Sequence, residues 1–240
     1  LTEDAMEIEQ QTFVSDLNKI HLSGKDLLAL INDILDLSKI EVKKMDVNIA
    51  TFNLKEIILT VKETLEPYAN INNNLIKVNQ PKKSITVRSD EMKIRQILFN
   101  LLTNACKHSE NSTVHLLVQH EKIDHLNYLS FTIQDSGLGI PKSKLEEIFE
   151  PFSQVDSTEN NKVKGTGLGL TIAKAYSELL GGYINVKSEE GKGSSFSSYI
   201  LQDYFSAKEK KIKKYLDKIS EKPPSTQEEK ILVIDDDIVF

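Results

Sequence analysis

Near the start of the chain, apolar or small residues recur in alternating steps of four and three: Phe13, Leu17, Ile20, Gly24, Leu27, Ile31 and Ile34, with Leu28 and Leu35 widening the stripe. The spacing predicts one long helix over residues 4–42. So broad a stripe suits a helical bundle better than a two-stranded seam. A single helix cannot bury it, so partners must come from upstream sequence or a second subunit. A bridge, Lys43 to Phe52, leads into a second predicted helix over Asn53–Glu66 with Asn53 as its cap. Leu75–Val78 and Ile85–Arg88 read as short strands, and Asp90–Lys107 as the clearest helix of the chain. Thr113–Gln119 and Tyr128–Gln134 are β-rich runs joined by a polar loop, the pattern of a hairpin.

A short helix is predicted near Lys142–Phe149, and the aperiodic polar stretch Ser153–Lys164 reads as a mobile loop. Leu168–Leu180 is helical and stops at Gly181 and Gly182. Tyr183–Ser188 and Ser195–Leu201 alternate as strands around a turn at Gly191–Gly193. Helices mixed with mainly antiparallel strands imply an α+β layered domain. Beyond Asp203 the character changes. Lys208–Lys222 is Lys-rich, Pro223 and Pro224 break any helix, and Ser225–Lys230 is polar, which together read as a linker. A solvated connector fits its lysines better than a lipid-binding surface. The last residues, from Lys230, form an apolar strand running into Asp235, Asp236 and Asp237.

Composition narrows the class. Hydrophobic content of 39% and charged content of 28% are those of an ordinary globular chain, and 240 residues hold one substantial domain plus smaller pieces. A formal charge of -6 argues against a nucleic-acid-binding surface. Cys106 is the only cysteine, so no intrachain disulfide forms, and a reducing compartment is expected. Its place within an apolar helix face reads as a buried structural thiol. No apolar run approaches membrane-spanning length, and the chain begins at Leu1 rather than Met. It therefore reads as a piece of a longer parent whose membrane contacts would lie upstream.

Three polar motifs carry the candidate chemistry. On a helical wheel Asn100, Asn104, Lys107 and His108 share a sector beside the apolar face of Ile94, Ile97, Leu98, Leu101 and Ala105. A neutral Asn carbonyl suits Mg²⁺ when phosphates supply the charge, and Lys107 adds a point charge for phosphate oxygens. An exposed polar helix edge gives the same pattern. Asp135, with Gly137, Gly139 and Ile140 after it, follows a strand: a carboxylate accepts from an exocyclic amino group, and glycines let backbone approach a ring. Asp-Ser-Gly is also common turn chemistry. Gly165, Thr166, Gly167, Leu168, Gly169 and Leu170 open a helix whose amides and dipole favour anions. The run lacks a P-loop ending, and the chain offers no Rossmann unit.

The ordered combination resembles the sensor histidine kinases, in which an Asn box, an Asp-x-Gly-x-Gly box, a Phe box, a mobile lid and a Gly-x-Gly box follow one another. Glu147–Phe152 supplies the Phe box, Leu30–Glu41 resembles the end of the second dimerisation helix, and residues 181–188 and 191–196 resemble the closing strands, so the likeness covers roughly residues 10–201. The fold this implies is α+β, a two-layer α/β sandwich of the Bergerat kind. A long bundle helix (1–42) precedes the ATP-binding domain (43–202). A linker (203–229) and the truncated first strand of a receiver domain (230–240) follow it.

The resemblance further implies that ATP and Mg²⁺ are bound, and that the γ-phosphoryl group passes to a histidine. Asn104 would ligate the metal, with Asn100 and Lys107 near the phosphates and His108 by the adenine. Asp135 would take the adenine amino group, with Gly137, Gly139 and Ile140 beside it. Gly165 to Leu170 would surround the phosphates, while Phe149 and Phe152, by spacing alone core aromatics, would anchor the lid. Asp235 and Asp236 resemble the acidic Mg²⁺-binding pair of a receiver, so the implied partners are a second copy of the chain, and a receiver in cis or on a separate regulator. The implied location is the cytoplasm, as a free protein or as part of a membrane-anchored parent.

Two departures temper the resemblance. Asn161-Lys162-Val163-Lys164 replaces the family's Arg-Lys-aromatic-Gly run, leaving Lys162 or Lys164 to substitute for the arginine. No histidine has the acceptor's sequence context. His21 is followed by Leu22, Ser23 and Gly24, and reads as structural, while His115, His120 and His125 belong to the hairpin. The chain is therefore expected to bind ATP without phosphorylating itself. The competing readings are another Bergerat-type ATPase and a nucleotide-binding scaffold.

Overall fold

The computed structural model describes residues 2–42, 44–123, 125–153 and 166–204, all of which fall in one compact unit, residues 1–204. The predicted first helix is α1, Thr2–Glu41. Leu30, Leu37 and Ile40 pack against the core, whereas Leu17, Ile20, Leu27, Leu28, Ile31, Ile34 and Leu35 are exposed. The apolar stripe thus has no cover within the chain's described residues, as its breadth predicts; the side chain of Phe13 lies outside them.

Between α1 and α3, two elements differ from the sequence expectation. The bridge contains a strand, β1 (Ala50–Asn53), paired antiparallel with β3 (Thr86–Ser89) so that Phe52 lies opposite Val87. Four residues with one large apolar side chain carry no local signal, because the partner is far away in sequence. The helix after it, α2 (Leu54–Ile71), runs past the predicted stop at Glu66 with Pro67 inside it. An interior proline costs on the order of 3 kcal/mol, but Leu65 and Ala69 on either side of it are both buried, and their packing carries the helix onward. Asn53 caps α2 as expected, accepting from the Lys55 amide at 3.1 Å.

The main sheet has five strands in the order β2-β4-β5-β7-β6, formed by β2 (Leu75–Asn79), β4 (Thr113–Ile123), β5 (Leu126–Gln134), β6 (Tyr183–Glu189) and β7 (Gly193–Leu201). Only β2 pairs parallel, with β4; the β4–β5 and β6–β7 hairpins are antiparallel as predicted. Alternation sends Val114, Leu116, Val118, Leu129, Phe131, Ile133, Phe196 and Ile200 into the core, beneath α2, α3 (Glu91–Lys107) and α4 (Gly169–Leu179). The other face is open and polar, with Tyr183, Asn185, Lys187 and Glu189 exposed along β6. This is a two-layer α+β sandwich. The helix predicted near Lys142–Phe149 is two short 3₁₀ turns, Lys142–Lys144 and Glu147–Phe149.

The end of α1 is tied to the sandwich. Tyr176 on α4 donates to Asp36 Oδ2 at 2.7 Å, and Lys93 lies over the Tyr176 ring while donating to Asp90 Oδ2 and to the Asp46 carbonyl. Asp90 caps α3, and its Oδ2 also accepts from the Asn48 amide at 2.8 Å. One lysine therefore joins the segment after α1 to the starts of α3 and the middle of α4. No helix among the described residues is long and apolar enough to cross a membrane.

Candidate functional site

The predicted polar sector of α3 is half-buried beside a fully buried apolar face that includes Ile94, Ile97, Leu98, Leu101 and Ala105. Asn100 accepts from Gln96 Nε2 at 3.2 Å, which turns its own Nδ2 away, and that buried Nδ2 has no hydrogen-bond partner among the described residues. Asn104 uses its backbone carbonyl to accept from the His108 amide; no hydrogen bond to its side chain is found among the described residues. Lys107 forms no ion pair among them, and burial holds its pKa below the ordinary lysine value. His108 keeps an exposed surface, yet desolvation, followed by the Lys107 charge, lowers its pKa as well. Cys106 is buried, and desolvation followed by the nearby Asp135 charge pushes its thiol up to about 11, as expected of an inert structural cysteine.

Asp135 stands just beyond β5. Its Oδ1 accepts from the Gly137 amide at 2.9 Å and the Ser194 amide at 3.2 Å, leaving Oδ2 without a hydrogen bond among the described residues. Desolvation raises its pKa against the lowering effect of those two amides. Gly137 lies so close to the end of α3 that a β-carbon there would sit 2.0 Å from the His108 carbonyl oxygen. The first two motifs are therefore in backbone contact. Ile140, half-buried, donates its amide to Ser188 Oγ at 2.8 Å, and Gly139 lies against the Glu189 carbonyl.

The third motif meets the first. Gly169, the first residue of α4, faces Asn100, with its would-be β-carbon 3.7 Å from Asn100 Cβ and Cγ. Leu168 is fully buried, Leu170 packs on the core, and the Leu168 amide donates to Thr166 Oγ1. No side chain among the described residues caps the first turn of α4, which leaves its amides facing outward for an acceptor. Gly167, with φ of +73°, lies against the backbone of Phe152, whose amide donates to the Gly167 carbonyl at 3.1 Å. Phe149 packs edge-on against Phe196, as a core aromatic should. Phe152 does not: it is 61% exposed, because the turn that presses its backbone on Gly167 leaves its ring outside. Lys162, Lys164, Gly165, Asp235 and Asp236 lie outside the described residues. His21 is exposed on α1.

A shallow cavity of about 470 Å³ also touches Asp135, but from the open face of the sheet, lined by His115, Gln134, Lys187 and Ser195. Asn100, Asn104 and Lys107 do not border it, so it is a separate surface.

Several residues that hold the site escape the sequence reading. Gln96 sets the Asn100 amide, and Ser188 and Ser194 fix the loop that carries Asp135. Asn72 and Asn74 grip the end of α3. The run Asn72-Asn73-Asn74 marks a turn in sequence, but its targets lie more than thirty residues on.

Comparison with known proteins bears on the fold and the family. Residues 89–203 match the family described as histidine kinase-, DNA gyrase B-, and HSP90-like ATPase. The chain is 39% identical over 175 residues to the autoinducer 2 sensor kinase/phosphatase LuxQ of Vibrio cholerae, covering 72% of this chain and 20% of that one. It is 40% identical over 183 residues to the hybrid signal transduction histidine kinase B of Dictyostelium discoideum, covering 75% of this chain and 9% of that one. The chain thus spans a fifth or less of these relatives' own lengths. Among solved structures, full-length ShkA in complex with AMPPNP superposes with a TM-score of 0.67 at 29% identity, covering 83% of this chain and 40% of that one. Residues 89–203 therefore form a domain of the histidine kinase-, DNA gyrase B- and HSP90-like ATPase family, of the ATPase catalytic kind found in sensor histidine kinases.

Proposed function

We propose that this chain binds Mg-ATP between α3 and the start of α4 and transfers the γ-phosphoryl group to a histidine outside residues 1–240. The observation that carries the reading is the convergence of three separated motifs, through the close backbone approach of Gly137 to His108 and the van der Waals packing of Gly169 against the Asn100 side chain, around a buried Asn100 Nδ2 that lacks an acceptor among the described residues. An unpaired buried donor costs about 1–3 kcal/mol, so a site that keeps one is suited to an acceptor such as a phosphate oxygen.

The residues present fit ATP and Mg²⁺. Asn104 offers a neutral oxygen to the metal, which binds few protein ligands when phosphates supply charge. Among the described residues no three His, Cys, Asp or Glu side chains converge as a metal cage, so the donor set suits a nucleotide-borne cation. Asn100, Lys107 and the Thr166–Leu170 run at the start of α4 serve the phosphates, together with Gly165 and a lid lysine, Lys162 or Lys164. Asp135 Oδ2 accepts from the adenine amino group, with Gly137, Gly139, Ile140 and His108 around the ring. Bound Mg²⁺ supplies charge neutralisation, and the side chains position the phosphates. The acceptor imidazole nitrogen attacks γ-phosphorus, the bond to the β–γ bridging oxygen breaks, and ADP leaves.

The α1 stripe would complete a bundle with a second copy of the chain, and Asp235 with Asp236 would begin a receiver domain to which the phosphoryl group passes. Calorimetric titration with Mg-ATP tests the site: binding is expected, and its absence removes the proposal. Incubation with γ-labelled ATP is expected to put no acid-labile, hydroxide-stable label on this chain, and to label a histidine-bearing helix supplied separately. Label on the chain itself overturns the assignment of the acceptor.

A further inference from the structure

We propose that Asn74, with Asn72, is a positioning residue of the nucleotide site, setting where Lys107 and His108 stand. The inference rests on the nucleotide reading above and adds residues that reading does not use.

The last four carbonyls of an α-helix have no partner within the helix. In α3 each one is assigned. Asn104 O accepts from the His108 amide, and Ala105 O from Ser109 Oγ. Cys106 O receives Asn72 Nδ2 at 3.1 Å and Asn74 Nδ2 at 2.9 Å, and Lys107 O receives Asn72 Nδ2 at 3.4 Å. Asn74, 2% exposed, uses its whole amide: Nδ2 also donates to Ser109 O at 2.8 Å, while Oδ1 accepts from Ser112 N and Ser112 Oγ, each at 3.1 Å. Asn72 adds a backbone tie, its carbonyl accepting from the Asn111 amide.

The segment from Cys106 to Ser112 is therefore bolted to the α2–β2 corner on both sides of Lys107 and His108. The loop carrying Asp135 closes the third side, since Gly137 lies against the His108 carbonyl. Lys107 and His108 have no side-chain hydrogen bond of their own among the described residues, so their backbone sets where their charge and ring point. That backbone is held by two asparagine amides. A neutral, bidentate amide suits the task because two carbonyls need a donor and one amide N–H needs an acceptor in the same buried place. Aspartate at position 74 keeps the acceptor for Ser112, but sets an oxygen against the carbonyls of Cys106 and Ser109.

The test compares N72A, N74D and V61A in the 240-residue chain. Val61 is a buried residue of α2, so V61A opens a core cavity away from the clamp. Mg-ATP and ADP affinities are measured by calorimetry well below the lowest melting temperature, with thermal unfolding alongside. N72A and N74D are expected to weaken nucleotide binding roughly three- to thirtyfold, whereas V61A lowers Tm with affinity unchanged. If N72A and any folded N74D lower Tm but bind as the wild type does, the amides are structural caps only, and the proposal fails. It also fails if V61A weakens binding as much for the same loss of Tm. N72A, whose residue is only half-buried, decides the matter where N74D does not fold. A wild-type chain that binds no Mg-ATP is a different result: it sinks the nucleotide reading itself, and this inference with it.

Discussion

Replacing Asp135 by Asn separates the stability of the second motif from its chemistry. Asp135 Oδ1 takes both loop amides, Gly137 at 2.9 Å and Ser194 at 3.2 Å. An asparagine oxygen accepts the same two bonds, so the loop keeps its shape. Its Nδ2 then occupies the place of Oδ2 and turns the proposed acceptor for the adenine amino group into a second donor. A lost hydrogen bond to a charged group is worth about 1.5–3 kcal/mol, or roughly a ten- to 150-fold loss of affinity. Stability moves the other way. Desolvation raises the pKa of Asp135 above its ordinary 3.8, so the folded state disfavours the ionised form. A group with a raised folded pKa contributes stability that is full below its unfolded value and lost as pH rises through the folded one. At pH 7 the wild type bears that desolvation cost, and D135N does not. The variant is expected to melt at or above the wild-type temperature at pH 7, with the gap closing as pH falls through the carboxylate range, while Mg-ATP binding by calorimetry collapses. Unchanged affinity refutes the role of Oδ2, and a large fall in Tm at pH 7 refutes the stability argument.

Other expectations follow from single contacts. G137A puts a β-carbon against the backbone of His108, which no side-chain rotation relieves, so urea unfolding should show a loss of about 1–3 kcal/mol together with at least roughly tenfold weaker Mg-ATP binding. Y176F removes the bond to Asp36 but keeps the ring under Lys93; because the Asp36 side chain is 36% exposed, screening limits the loss to about 1 kcal/mol, and amide exchange over residues 30–41 should speed roughly fivefold with little change in the sandwich. For Asp90, desolvation pushes the pKa upward but is outweighed by the Lys93 side chain and the Asn48 and Lys93 amides, so the net shift is downward. Its stability contribution is present above the unfolded value and lost as pH falls through the folded one, so D90N should lower Tm at pH 7 and flatten the acid limb of the Tm–pH curve.

The elements of the sandwich were legible where the pattern is local. The periodicity of α3, the two hairpins and the Gly181 stop of α4 can each be read within a window of about twenty residues, and each is present, although β4 runs on to Ile123 and β5 starts at Leu126, so strand replaces most of the expected polar loop. Two of the departures share a cause. β1 exists because Phe52 meets Val87 across a long stretch of chain, and α2 passes Pro67 because Leu65 and Ala69 both find the core. In both, tertiary contact overrides a local signal. Phe152 erred the other way: spacing makes it a core residue, but its contact with Gly167 is made by backbone and leaves the ring exposed.

The site divides along the same line. Residue types with chemistry of their own, such as Asn104, Lys107 and Asp135, can be picked out of a sequence because few positions combine a carboxamide, an ammonium or a carboxylate with the edge of a buried face. The residues that aim them cannot. Asn74 is one more polar residue at a turn until its amide is seen to span Cys106, Ser109 and Ser112. Gln96 is one more helix residue until Asn100 is seen to have an unpaired Nδ2 behind it. Gly137 and Gly169 fall between the two kinds. Their positions are visible as motif glycines, but only the structure shows what each meets: a β-carbon at Gly137 would strike the His108 carbonyl, whereas one at Gly169 would rest at ordinary contact distance from Asn100. Motif order along the chain therefore names the residues of the proposed site, while the distances between motifs depend on hydrogen bonds and close approaches that no single motif encodes.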